Sequence, residues 1–161
     1  MISNDYVNSG SSRYGVSTSI YGDGRLVSWA FNGLSSETRR YDKVTDSALA
    51  TVGGWHHYAV VFNAFNEQHI YWDGIERSGT YNGTGTGMSY SNSGEGAIGM
   101  FYADINSPVF FKGAMDDVRV YGRSLSQSEI QQLSSVPLPA AGWLLASGAV
   151  GLIALRRKLR S

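Results

Sequence analysis

The 161-residue chain has no cysteine, so no disulfide framework or thiolate chemistry enters the account. It has three prolines, and only 16% of its residues are charged. No run of seven apolar residues occurs before Ala140, which excludes an early membrane span or a secretory h-region within that stretch. Basic residues are scarce in the body. Four of the thirteen Lys and Arg stand in the last six positions, which leaves nine against thirteen acidic residues over 1–135, a net of −4. With no basic stripe to follow phosphates, nucleic acid is not expected as a partner.

What is present first is a C-terminal pattern. Val136, Pro137, Leu138 and Pro139 lead into residues 140–155, which carry no charge, and Arg156, Arg157, Lys158 and Arg160 close the chain. At ~1.5 Å per helical residue the uncharged stretch is ~24 Å long. It reaches ~30 Å from Val136, enough for a hydrocarbon core of ~30 Å. One transmembrane helix is therefore expected at 140–155. The basic residues 156–161 form its cytoplasmic tail and the acidic body lies outside. Residues 134–139 read as a linker and proline motif.

The order of these parts resembles the PEP-CTERM sorting signal of exopolysaccharide-producing Gram-negative bacteria. The match is carried by Val136-Pro137-Leu138-Pro139, Ala141-Gly142-Trp143-Leu144-Leu145, Ser147-Gly148, Gly151-Leu152 and Arg156-Arg157-Lys158. Leu138 stands where the name-giving form has Glu. The resemblance implies a C-terminal signal read by an exosortase-type sorting enzyme. It also implies the Gram-negative cell envelope, with release to the surface or extracellular matrix.

The body, residues 1–133, is rich in Gly, Ser, Tyr, Val and Thr and reads as an all-β, antiparallel sandwich. Strands are expected at 14–20, 26–31, 55–62, 68–72, 75–81, 96–102 and, with a break near Gly113, 109–121. Asp73-Gly74 supplies the positive φ angles of a two-residue type I′ turn. A short helix is expected at 127–133, capped by Ser126 with Glu129 closing the capping box.

Three blocks in order resemble the LamG-like jelly-roll of the concanavalin A-like lectin/glucanase superfamily. They are the run from Gly54-Trp55-His56-His57 to Phe62, then Ile70-Tyr71-Trp72-Asp73-Gly74, then Phe111 to Ser126 with Glu129-Ile130. Residues 1–50 match loosely and lack the opening Phe-Asp-Gly block. The chain is thus expected to be the later two-thirds of a jelly-roll, a fragment with a signal peptide upstream, exposing unpaired edges that favour aggregation.

Candidate chemistry is sparse. In a 109–121 strand, Asp116 shares parity with Val118 and Val120 and would point inward, while Asp117 would be solvated. An inward carboxylate needs a partner. The resemblance implies a structural calcium at that strand position, whereas the residues alone favour backbone amides or a basic residue. Calcium takes six to eight oxygens, which one aspartate does not provide. No other cofactor is expected. His56 and His57 are sequence neighbours and point to opposite faces of a strand, so they do not share an ion, with His69 as a third ligand across a hairpin. Glycosidases need two carboxylates ~5–9 Å apart, and Asp116–Asp117 and Asp73–Glu76 do not supply that geometry.

No catalytic residue is therefore expected, and the chain reads as a noncatalytic, exported surface or matrix protein. Its binding or adhesion domain would take a glycan or a surface protein. The alternative is a carbohydrate-binding module left from a larger carbohydrate-active enzyme. Tyr81, Tyr90, Phe101 and Tyr102 flank the glycine-rich loops where an aromatic platform for sugars would sit, although aromatics in sandwiches more often fill the core.

Overall fold

The computed structural model describes residues 2–6, 14–34, 40–51, 53–90, 95–104 and 107–135. The expected sorting motif, span and basic tail lie outside them. No helix among the described residues is long and apolar enough to cross a membrane.

The chain forms β1 (Ile2–Tyr6), β2 (Tyr14–Ile20), β3 (Leu26–Asn32), β4 (Arg40–Thr45), β5 (Tyr58–Ala64) and β6 (Glu67–Trp72). It continues through β7 (Ile75–Arg77), β8 (Gly79–Asn82), β9 (Glu95–Ile98), β10 (Met100–Asp104), β11 (Ser107–Phe110) and α1 (Gln127–Ser134). Six strands pair in the order β8-β4-β3-β2-β1-β9, three in the order β5-β6-β7, and β10-β11 form a hairpin. All pairings are antiparallel.

Period-two alternation divides the central strand. Leu26 and Ser28 face the three-stranded sheet, where Leu26 packs with Ile70 and Trp72, flanked by Ile20, Tyr58 and Val60. Val27, Trp29 and Phe31 point the other way and cluster with Val44 and Tyr21. On the far side of the three-stranded sheet, α1 seats Ile130 against Val61 and Tyr71. The layers therefore run six-stranded sheet, three-stranded sheet, helix.

The space between the two sheets is not purely apolar. Gln68 of β6 is fully buried. Its Oε1 accepts from the Ser28 hydroxyl of β3, and its Nε2 donates to the carbonyls of Tyr41 (3.0 Å) and Phe65 (3.1 Å). Its backbone carbonyl accepts from Lys43 Nζ at 3.1 Å and the Tyr81 hydroxyl at 2.8 Å. One side chain thus ties β6 to β3 and β4, and both polar atoms of the Gln68 side chain are answered.

Local expectations fared unevenly. Asp73 and Gly74 have φ of 53° and 75°, the two left-handed residues of a type I′ turn closed by Trp72 opposite Ile75. The capping box is formed, with Ser126 Oγ accepting from the Glu129 amide and the Glu129 carboxylate reaching back to the Ser126 amide. Arg123 also grips Glu129, and these contacts, the Arg123 bond first, hold the Glu129 carboxyl down at about 2.

Four strand expectations need correction. The 55–62 strand begins at Tyr58, leaving Trp55 70% exposed. The 75–81 strand is two strands in different sheets, β7 and β8, split at Ser78. The 96–102 strand breaks at Gly99, whose φ is 79°. The 109–121 strand ends at Phe110, residues 111–121 are not in a strand, and Asp117 within them takes φ 52°, outside extended geometry. Val118 and Val120 are exposed, and so is Asp116, which does not point inward.

Replacing Gln68 with Leu leaves the Ser28 hydroxyl and two carbonyls buried without partners. The expected cost is about 3 kcal/mol of unfolding free energy, measured by urea denaturation against wild type.

Candidate functional site

The outward face of the six-stranded sheet carries a polar cleft where β4 and β8 meet the turn after β2. Register sets its floor: Asp42 lies opposite Asn82 on one side and Trp29 on the other, and Val44 lies opposite Thr80 and Val27. Tyr21, Arg25, Arg40, Thr45 and Asp46 complete the lining of a cleft of about 580 Å³.

The turn that delivers Tyr21 and Arg25 is built from short-range bonds. The Tyr21 amide donates to the Arg25 carbonyl at 2.8 Å, and Asp23 accepts from the Arg25 amide (3.0 Å) and Nε (2.7 Å). Gly24 takes φ 85°, and a Cβ there would lie 2.8 Å from the Ala50 carbonyl oxygen, so only glycine fits. The Arg25 guanidinium lies over the Tyr21 ring at 5.8 Å, and that ring meets Trp29 edge-on at 6.0 Å.

Asp42 is the unusual member. It is 2% exposed, yet its Oδ1 accepts no hydrogen bond. Arg40 Nε approaches that oxygen to 3.2 Å, an ion-pair contact without hydrogen-bond direction, and Asn82 bonds the carboxyl. Burial pushes the Asp42 carboxyl above the usual aspartate range, with Arg40 and Asn82 opposing it. Tyr21 is raised as well, by burial first and then by the Asp42 charge. Asp46 is engaged, accepting from Thr80 Oγ1 at 3.1 Å.

The residues expected from the sequence to carry binding sit elsewhere. Tyr81 turns to the inner side of β8, tilted on Tyr41 at 5.2 Å with its hydroxyl tied to Gln68, so it serves the inter-sheet network. Tyr90 is exposed, its hydroxyl 3.5 Å from Met88 Sδ. Phe101 and Tyr102 lie on β10 with side chains outside the described residues. Asp116 Oδ1 accepts from the Asp117 amide at 2.8 Å, and Arg119 pairs with Asp117.

The histidines do not gather. His56 stacks on Trp72 at 4.7 Å and pairs with Asp73 Oδ2 at 2.8 Å, while the His57 amide donates to Asp73 Oδ1 at 2.9 Å. His57 Nδ1 is buried, and burial chiefly lowers its pKa. His69 pairs across the sheet with Val61 rather than with either of them, and sits between Glu76 (2.6 Å) and Glu67 (3.4 Å). Among the described residues no group of three His, Cys, Asp or Glu is placed to hold a metal ion.

The profile of the Laminin_G_3 family, described as the concanavalin A-like lectin/glucanases superfamily, matches residues 2–131. This chain belongs to that superfamily. The layered antiparallel sheets of this concanavalin A-like domain agree with the assignment. Among curated proteins none matches the chain. A solved S-layer domain-containing protein (residues 221–444) from Clostridium thermocellum ATCC 27405 is 25% identical, with a TM-score of 0.42. The alignment covers 80% of this chain and 59% of that one.

Sequence reasoning passed over Asp42 and Asp46. The only signal was three charged residues within Arg40-Tyr41-Asp42-Lys43, a pattern that fits a solvated strand better than a buried one.

The raised Asp42 pKa has a signed consequence. Folding favours the protonated form, so the stability linked to this group is fully present below the ordinary aspartate pKa and is lost as pH rises through the folded-state value. Asp42→Asn is expected to raise Tm relative to wild type at pH 7 and to bring little change at pH 3, read from melts at both.

Proposed function

We propose that this chain is a noncatalytic binding domain of the Gram-negative cell envelope, exported and then held and sorted by its C-terminal segment. The observation that carries the envelope part is an order of sequence. Val136, Pro137, Leu138 and Pro139 are followed by the uncharged residues 140–155 and then by Arg156, Arg157, Lys158 and Arg160. That order supports a helix in the membrane with its basic end in the cytoplasm. An exosortase-type enzyme would read the proline motif, and the membrane is the other partner.

Superfamily membership supports the binding part, since lectins and glucanases share this architecture and the fold alone does not choose between them. The spacing of acids favours binding over hydrolysis. Asp42 and Asp46 line one cleft, but four residues along an extended chain span about 13 Å. Glycoside cleavage needs carboxyl groups about 5–9.5 Å apart.

Mass spectrometry of the mature protein from its native host tests the sorting reading. The expected product is shortened at the C-terminus near Pro137–Pro139. A secreted form that still ends at Ser161 contradicts it.

A further inference from the structure

We infer that, in the unprocessed chain, the end of the domain carrying Trp55 and Ile75 rests on the membrane surface, with both side chains in the headgroup region of the bilayer. The inference rests on the membrane part of the proposed function and adds the face by which the domain meets the lipid.

Three separate parts of the chain converge at this end. The Asp73-Gly74 turn packs on the last turn of α1, where a Cβ on Gly74 would run into the Ser134 hydroxyl and lie 3.3 Å from Gln131 Cα. The same turn holds the segment before β5. Asp73 pairs with His56 at 2.8 Å and accepts from the His57 amide at 2.9 Å, while its own amide donates to the His57 carbonyl at 2.8 Å. Trp55, one residue before His56, is 70% exposed, and Ile75, one residue after Gly74, is 54% exposed. The helix ends here too, at Ser134 with Ser135 as its cap.

The length of the tether fixes which end faces the lipid. Val136 to Pro139 stand between Ser135 and Ala140, where the uncharged stretch begins. Five chain steps of ~3.6 Å reach at most about 18 Å. Asn66, at the opposite turn of the β5–β6 hairpin, precedes Asp73 by seven residues, about 23 Å of strand at ~3.3 Å each. A domain turned so that Asn66 faced the bilayer would hold Ser135 farther from it than the tether extends. The Trp55 end is thus kept against the surface.

The chemistry of this end agrees. Tryptophan concentrates at membrane interfaces, where its ring is apolar and its N–H stays wet. Trp55 and Ile75 expose apolar surface to water in the free domain, and lipid removes that exposure. The nearby charges are answered locally. Asp73 is held by His56 and the His57 amide, and Asp117 and Arg119, whose charges reach His57, pair with each other at 2.8 Å. The last turn of α1, Gln131-Gln132-Leu133-Ser134, carries no charge.

The test uses the full chain reconstituted in vesicles of phosphatidylethanolamine and phosphatidylglycerol, with and without lipid brominated near the headgroup, a contact quencher of tryptophan. The chain carries Trp143→Phe, and subtracting the spectrum of Trp143→Phe/Trp55→Phe leaves the emission of Trp55, since the buried Trp29 and Trp72 are common to both. That emission is expected to be blue-shifted and to be lost in the brominated vesicles. Ile75→Asp, at an exposed position, is expected to lessen the loss. A tryptophan placed at the far turn, by Asn66→Trp in the Trp143→Phe/Trp55→Phe background, is expected to keep its emission.

The inference is overturned if bromination leaves the Trp55 emission unchanged, or if the Asn66→Trp variant is quenched as strongly. Trp55 shielded from iodide but untouched by brominated lipid overturns it equally, because a second copy or another protein then covers this face. Flotation of the vesicles after an alkaline wash reports the tether separately. A chain that does not float contradicts the anchoring reading and this inference with it, whereas a chain that floats with Trp55 unquenched sinks this inference alone.

Discussion

The strand β4 sets the constraint to which the rest of the structure responds. Its residues Asp42, Lys43, Val44 and Thr45 are all buried, although two of the four carry charge. A strand placed between β3 and β8 has no bare edge, so each of these groups must find its partner across a sheet face. On the inner face Lys43 is answered by the Gln68 carbonyl and by the Tyr81 ring at 5.5 Å. On the outer face Asp42 is answered only in part. The same strand therefore closes the core on one side and leaves a chemical demand on the other.

This asymmetry separates answered from unanswered polarity in the molecule. The network around Gln68 is complete, and complete buried networks fix how two sheets sit on each other. Once β3 and β4 are fixed against β6, the outward residues Trp29, Asp42, Val44, Thr80 and Asn82 are fixed as well, because register couples the two faces. A cleft built on strands rather than on loops is held more exactly. The cost of that burial appears as the raised Asp42 carboxyl.

How far the sequence was legible follows from the same physics. The Asp73-Gly74 hairpin and the Ser126–Glu129 cap were readable because each rests on a few neighbouring residues and one backbone requirement. β3 was readable because Val, Trp, Ala and Phe suit a strand buried on both faces. β4 was not, since burial of Asp42 and Lys43 depends on partners 40 and 25 residues away, Asn82 and Gln68. The stretch after Phe110 looked like a strand from Val118, Val120 and Tyr121, but pairing decides a strand, and Asp117 leaves extended geometry there. The fold class was thus legible from blocks of local pattern. The cleft, made by long-range register between β4 and β8, was not.

The most direct measurement is an NMR titration of the Asp42 side-chain carboxyl carbon in the folded chain. A midpoint above the ordinary aspartate value of 3.8 is expected, because burial disfavours the charged form. A midpoint at or below 3.8 in the free protein would show that the carboxylate already has its donor, and would contradict the account.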